Sequence, residues 1–135
     1  MADYTAIRIS DLDNVEIRVL PDSLNETAQI IQGRYGRHLR HIKGPRRILD
    51  VGCGEGQFTV WAHSIWPNAW LDCYETDPTK RRFCEFNIPP GAKLLSSLEE
   101  AAPAYDLIRL TYPLAKPPKS YYTIHDYLEI THGLV

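Results

Sequence analysis

The sequence has no run approaching the ~18 consecutive apolar residues of a membrane-spanning helix, so no membrane association through a helical span is expected. Its start, Met1-Ala2-Asp3-Tyr4-Thr5, lacks the basic opening and apolar core of a signal peptide. Cysteine is scarce: Cys53, Cys73 and Cys84 are an odd number with no C-x-x-C spacing. Free thiols in a reducing compartment, hence a cytoplasmic protein, are the expectation. An excess of one charge is missing too. Fifteen basic against 17 acidic side chains leave a net charge of −2, so a nucleic-acid partner is disfavoured and would need a local patch. Zinc-ligand spacings, a phosphate-binding lysine loop and a Ser–His–Asp order are all absent. His38 and His41 share a helical face, but no third ligand accompanies them, and no metal site is expected.

What is present suits one globular domain. The 135 residues, 44% hydrophobic and 24% charged, can bury a real core but leave no room for a second full domain. Residues 1–45 read as an N-terminal hairpin and amphipathic helix, and residues 46–135 as an α/β core. Ala6–Ser10 and Val15–Leu20 alternate apolar with polar side chains around the turn formers Asp11–Asn14. Pro21 ends the second strand, and Asp22 or Ser23 can cap a helix. Apolar residues at Leu24, Ala28, Ile31, Tyr35, Leu39 and Ile42 then predict one face of a helix. Its other face carries Arg34, Arg37, His38, Arg40, His41 and Lys43, either a solvated surface or a dock for an anionic partner.

After Gly44-Pro45 the pattern turns to strand–helix alternation. Strands are expected at Ile48–Val51, Trp70–Glu75, Lys93–Ser96 and Tyr105–Tyr112, with helices at Gln57–Ile65, Pro78–Asn87 and Leu98–Ala102. Pro113–Lys119 reads as an exposed loop, and Tyr121–Ile130 as a final element of open type. The alternation predicts an α/β fold: a mainly parallel, Rossmann-like sheet with helices on both faces.

The central motif is Asp50-Val-Gly52-Cys53-Gly54-Glu-Gly56, at a strand end and opening a helix. Gly52 permits a tight turn, Gly54 lets a ligand approach the backbone, and Gly56 allows close packing at the helix start. Amides at that helix start favour a hydrogen-bond-accepting group. The next strand ends in Glu75-Thr76-Asp77-Pro78. A carboxylate there can accept both ribose hydroxyls of a bound nucleoside.

Together these two segments resemble the first and second motifs of the class I S-adenosylmethionine-dependent methyltransferases. Ile17-Arg-Val-Leu-Pro-Asp-Ser23, Tyr35, Gln57-Phe58-Thr59 and the Glu-x-Asp-Pro ending look more particularly like the FkbM-type members. The resemblance implies S-adenosylmethionine as cofactor. Asp50 and the Gly52-Cys53-Gly54 backbone would hold its methionine end, and Glu75 its ribose. Thr76 or Asp77 would lie beside the adenine, with Ser96 or Ser97 at the adenine edge. Thr111-Tyr112-Pro113 falls where catalytic motifs of such enzymes lie.

The chain departs from that pattern at its C-terminal end. A fourth strand leaves too few residues for the rest of a seven-stranded sheet, so a truncated sheet is expected: a minimal version, a cofactor-binding half completed by oligomerising with a like chain or a partner subunit, or a fragment. Leu110-Thr-Tyr-Pro113 matches no common catalytic motif, and Tyr112, His125 and Asp126 are the acceptor-side candidates. The leading expectation is methyl transfer to a small-molecule acceptor. A non-catalytic cofactor-binding module is the first alternative. A nicotinamide oxidoreductase is the second, disfavoured by the short G-x-G-x-G spacing and by Asp50, which suits an ammonium better than a pyrophosphate.

Overall fold

The computed structural model describes residues 4–10, 15–31, 44–101 and 105–110. β1 (Thr5–Ser10) and β2 (Val15–Val19) form the expected antiparallel hairpin, with Ile7 opposite Ile17 and a register shift between Arg8 and Ser10. A 3-10 turn at Pro21–Ser23 leads into α1 (Leu24–Ile31). The remainder of the expected helix, to Ile42, lies outside the described residues, as does the basic face proposed for it.

The described part of α1 corrects the expected buried face. Leu24 and Ala28 are exposed, while Thr27 and Ile30 are buried. A polar partner is the cause. The Thr27 hydroxyl donates to the Ser23 carbonyl at 2.7 Å and accepts from Gln57 Nε2 at 3.0 Å, so the helix turns its threonine inward. No side-chain cap holds the preceding turn, and neither Asp22 nor Ser23 acts as the anticipated N-cap.

The core is a four-stranded parallel sheet of β3 (Arg47–Val51), β4 (Trp70–Tyr74), β5 (Lys93–Leu94) and β6 (Leu107–Leu110), in the order β5-β4-β3-β6. β3 lies between β4 and β6, with Asp50 opposite Cys73 on one side and Arg109 on the other. Ile48–Val51 is buried on both faces, which is why this strand reads as an almost unbroken apolar run. The crossover helices are α2 (Gln57–Ile65) and α3 (Pro78–Asn87), with the bounds their sequence patterns predict. Asp77 caps α3, its carboxylate accepting from the Thr79 and Lys80 amides.

Alternation along the strands sorts the side chains into two layers. Ile48 and Leu71 pack with Ile30 of α1 and with Phe58 and Ala62 of α2. Leu49, Val51 and Tyr74 face the other way, against Leu95, Leu98 and Tyr105. Two strands are shorter than expected. β5 ends at Leu94 because the Ser96 and Ser97 amides donate to Glu100 Oε1, at 2.8 and 3.1 Å, and not to a ladder. The helix expected at Leu98–Ala102 is correspondingly a 3-10 turn, Leu98–Glu100. β6 begins at Leu107, since Tyr105 turns its hydroxyl onto Asp72 and the Asp106 carboxylate accepts from the Arg46 and Arg47 amides.

The hairpin docks beside α2 and α3. Ile17 and Val19 pack on Val60, and the Asn87 side chain bonds both backbone groups of Arg18, at 2.8 and 2.7 Å. Asn87 Nδ2 also donates to the Glu55 carbonyl at 2.8 Å, which ties the hairpin to the loop after β3. Among the described residues, no helix is long and apolar enough to cross a membrane.

Candidate functional site

The strand order reverses at β3: one crossover runs toward β4 and β5, while the chain returns to β6 on the other side. In open α/β sheets this reversal leaves a crevice beyond the strand ends, where ligands bind. Asp50, Gly52, Cys53, Gly54, Gly56, Glu75 and Thr76 all gather at that end of β3 and β4.

The bend after β3 is anchored to β4, because the Gly52 and Cys53 amides both donate to the Tyr74 carbonyl, at 2.8 and 3.0 Å. Gly54 (φ +59°) and Gly56 (φ +88°) both take the left-handed conformation. Their surroundings differ. A Cβ on Gly56 would lie 2.9 Å from Ile88 Cγ2 and 3.2 Å from Cys84 Sγ, so this glycine permits the close packing of α2 on α3. A Cβ on Gly54 would meet only the end of the Gln57 side chain, at 3.2 Å.

Glu75 lies against this bend. Its Oε1 accepts the Gly54 amide at 2.8 Å, and its Oε2 accepts the Thr76 and Asp77 amides, each at 2.9 Å. Three of the four lone-pair positions of the carboxylate are thereby engaged. One remains on Oε1, so the acid can accept one further hydroxyl without giving up a bond; a grip on two hydroxyls requires a backbone amide to let go. Arg81 fixes the neighbourhood by donating from Nη1 to the Glu75 and Leu95 carbonyls, at 2.8 and 3.0 Å. Ser96, the residue expected at an adenine edge, is exposed just past β5. Thr111, Tyr112, His125 and Asp126 lie outside the described residues.

Asp50 is buried, with 1% of its surface exposed. Its Oδ1 accepts from Arg109 Nη1 at 3.0 Å, while its Oδ2 has no hydrogen-bond partner among the described residues. Burial pushes the carboxyl up to about 6, against the lowering pull of Arg109. Arg109 also reaches Glu26 of α1 at 3.4 Å and lies over the Phe58 ring, 5.0 Å from its centroid. This arginine was not singled out from the sequence, although it is the one charge that interrupts the apolar run Leu107-Ile-Arg-Leu110.

Glu55, likewise unnoticed, is the acid inside the glycine motif. It is fully buried, and its Oε2 accepts the Leu20 amide at 2.9 Å. Between them, Glu55, Gln57 and Thr27 form a polar layer beneath the bend, with Gln57 Oε1 accepting the Glu55 amide at 3.1 Å.

The Asp50 oxygen with no partner among the described residues and the Glu75 carboxylate against the bend are acceptors suited in kind to a molecule with a cationic end and hydroxyls. S-adenosylmethionine, with its α-ammonium and ribose, has both. These residues fit that group.

No family model matches the chain. Over 36 residues, 27% of this chain and 14% of the relative, it is 42% identical to trans-aconitate 2-methyltransferase of Rhodococcus jostii. Precorrin-6y C5,15-methyltransferase of Geobacter metallireducens superposes with a TM-score of 0.62 at 16% identity, over 79% of this chain and 57% of that one. A plantazolicin methyltransferase solved with S-adenosylhomocysteine gives 0.52 at 19% identity, over 85% and 48%. The chain thus spans about half the length of these solved structures. With its strand order, its glycine bend and these superpositions, the chain has the Rossmann-like fold of the class I S-adenosylmethionine-dependent methyltransferases.

Proposed function

We propose that this chain binds S-adenosylmethionine across the glycine bend and serves methyl transfer to a small-molecule acceptor. The observation that carries the reading is the 2.8 Å contact between the Gly54 amide and Glu75, which puts a ribose-accepting carboxylate against a bend with no side chain. The cofactor supplies an electrophilic methyl group on a sulfonium sulfur. The Asp50 Oδ2 would accept its α-ammonium, and the remaining lone pair of Glu75 Oε1 one ribose hydroxyl. Thr76 and Ser96 would flank the adenine. Tyr112, His125 and Asp126 are the acceptor-side candidates, and Thr111 would lie on the cofactor side. For a displacement at a methyl carbon, holding the acceptor atom in line supplies much of the rate, so a strong general base is not required. The names of the relatives, trans-aconitate and precorrin methyltransferases, support a small-molecule acceptor. Three free cysteines suit a reducing compartment such as the cytoplasm.

Calorimetry with S-adenosylhomocysteine, S-adenosylmethionine and NAD tests the cofactor. The two adenosyl compounds should bind at one site per chain and NAD should not; binding of NAD alone would defeat the reading. Methyl transfer is measured with labelled cofactor across pools of small acceptors. Gly54→Arg should abolish any turnover found, and unchanged turnover would remove the bend from the reaction.

A further inference from the structure

All three cysteines of the chain converge on one point under the glycine bend, Cys53 from the bend itself, Cys73 from β4 and Cys84 from α3. The Cys84 sulfur lies 3.8 Å from that of Cys53 and 3.8 Å from that of Cys73, and all three lie within 4.8 Å of one another. They are buried, unbridged, and enclosed by Ile88 and Leu94. A tetrahedral cation with metal–sulfur bonds of about 2.3 Å spaces its thiolates about 3.8 Å apart, and a trigonal one about 4.0 Å. Two edges therefore stand within a few tenths of an ångström of a metal-bound geometry, and the third has to close by less than about 1 Å.

We propose that Cys53, Cys73 and Cys84 form a site for one thiophilic d10 cation, zinc(II) or copper(I), which joins the glycine bend, β4 and α3 from beneath. Thiolate sulfur selects these ions over magnesium or calcium. On binding, each thiol gives its proton to solvent as its metal–sulfur bond forms, and no electron is exchanged. Copper(I) needs only the three sulfurs, whereas zinc(II) takes one further ligand. Residues 53, 73 and 84 show no ligand spacing in the sequence; the fold alone assembles them. The site stands independently of the cofactor reading.

The test is a titration of the reduced, metal-free full chain with cadmium(II) as optical probe. A thiolate-to-metal charge-transfer band in the near ultraviolet should appear and saturate at one equivalent. Zinc(II) or copper(I), added in competition, should displace the cadmium and raise the melting temperature. Cys84→Ser should weaken cadmium binding roughly a hundredfold. Should that variant fail to fold by circular dichroism, Cys73→Ala and Cys53→Ala carry the same expectation. A folded wild-type chain without a band at several equivalents overturns the proposal. So does a folded cysteine variant that keeps the wild-type band and stoichiometry, or a cadmium complex that neither zinc nor copper displaces.

Discussion

Replacing Gly54 and Gly56 separately by alanine should divide ligand binding from stability. At Gly56 (φ +88°) the new methyl group would sit 2.9 Å from Ile88 Cγ2 and 3.2 Å from Cys84 Sγ, both in the packed contact between α2 and α3. The left-handed backbone costs about 1–2 kcal/mol for a residue with a Cβ, and forcing a methyl into a filled interior about 1–3 kcal/mol more. A loss of about 3 kcal/mol follows. With an unfolding entropy of ~2.1 cal/mol/K per residue over 135 residues, it corresponds to a fall of about 10 °C in melting temperature. At Gly54 (φ +59°) the methyl would lie 3.2 Å from Gln57 Oε1, which has to give by only a few tenths of an ångström. The stability loss there should stay near 1 kcal/mol, about 3–4 °C. Yet the same methyl strains the bend whose Gly54 amide holds Glu75, and a misfit of about 1–3 kcal/mol there lowers ligand affinity roughly 5- to 150-fold. Thermal melts by circular dichroism and calorimetry with S-adenosylhomocysteine read the two effects. A Gly56→Ala chain as stable as wild type, or a Gly54→Ala chain with unchanged affinity, would refute the reasoning.

Removing the partner of Asp50 by Arg109→Leu leaves a buried carboxylate unpaired. At pH 8, urea unfolding should show a loss of about 3–5 kcal/mol, and Asp50→Asn in the same chain should restore most of it; additive losses would show that the two residues do not interact. Because burial raises Asp50 from 3.8 to about 6, folding takes up a proton between those values. Its contribution to stability is therefore complete below pH ~4 and lost as pH rises through ~6, which amounts to about 1.3 kcal/mol between pH 5 and pH 7. That pH dependence should be missing from Asp50→Asn, and its persistence there would assign it to other groups. Asn87→Ala unpairs the Arg18 amide and carbonyl together with the Glu55 carbonyl, and should cost about 3 kcal/mol. Limited proteolysis should then cut the hairpin before the core, and equal resistance of both would contradict the clamp.

Elements with a strict pattern were legible. The bounds of α2 and α3 follow from apolar spacing and from Pro78 with its Asp77 cap, and the glycine motif with Glu75 announced the bend and the acid that touches it. Features that depend on contacts between distant segments were not. Counting apolar residues on α1 favours Leu24 and Ala28, because nothing local says that Gln57 will offer Thr27 a buried hydrogen bond. The end of β5 depends on where Glu100 sends its carboxylate. Arg109 carried a signal, a charge in an apolar strand, but its partner Asp50 lies 59 positions away. For the cysteines there was none, since each comes from a different element.

The pair of hydrogen bonds between Asn87 and Arg18 also bears on the order of assembly. It spans 69 positions, and until α3 exists the hairpin has no such anchor. Contacts this distant must first overcome the entropy of closing a long loop, so they form late. The hairpin, made before α3, is thus among the last parts to be secured, and amide exchange at Arg18 should acquire protection only after the amides of α2 and α3 have theirs.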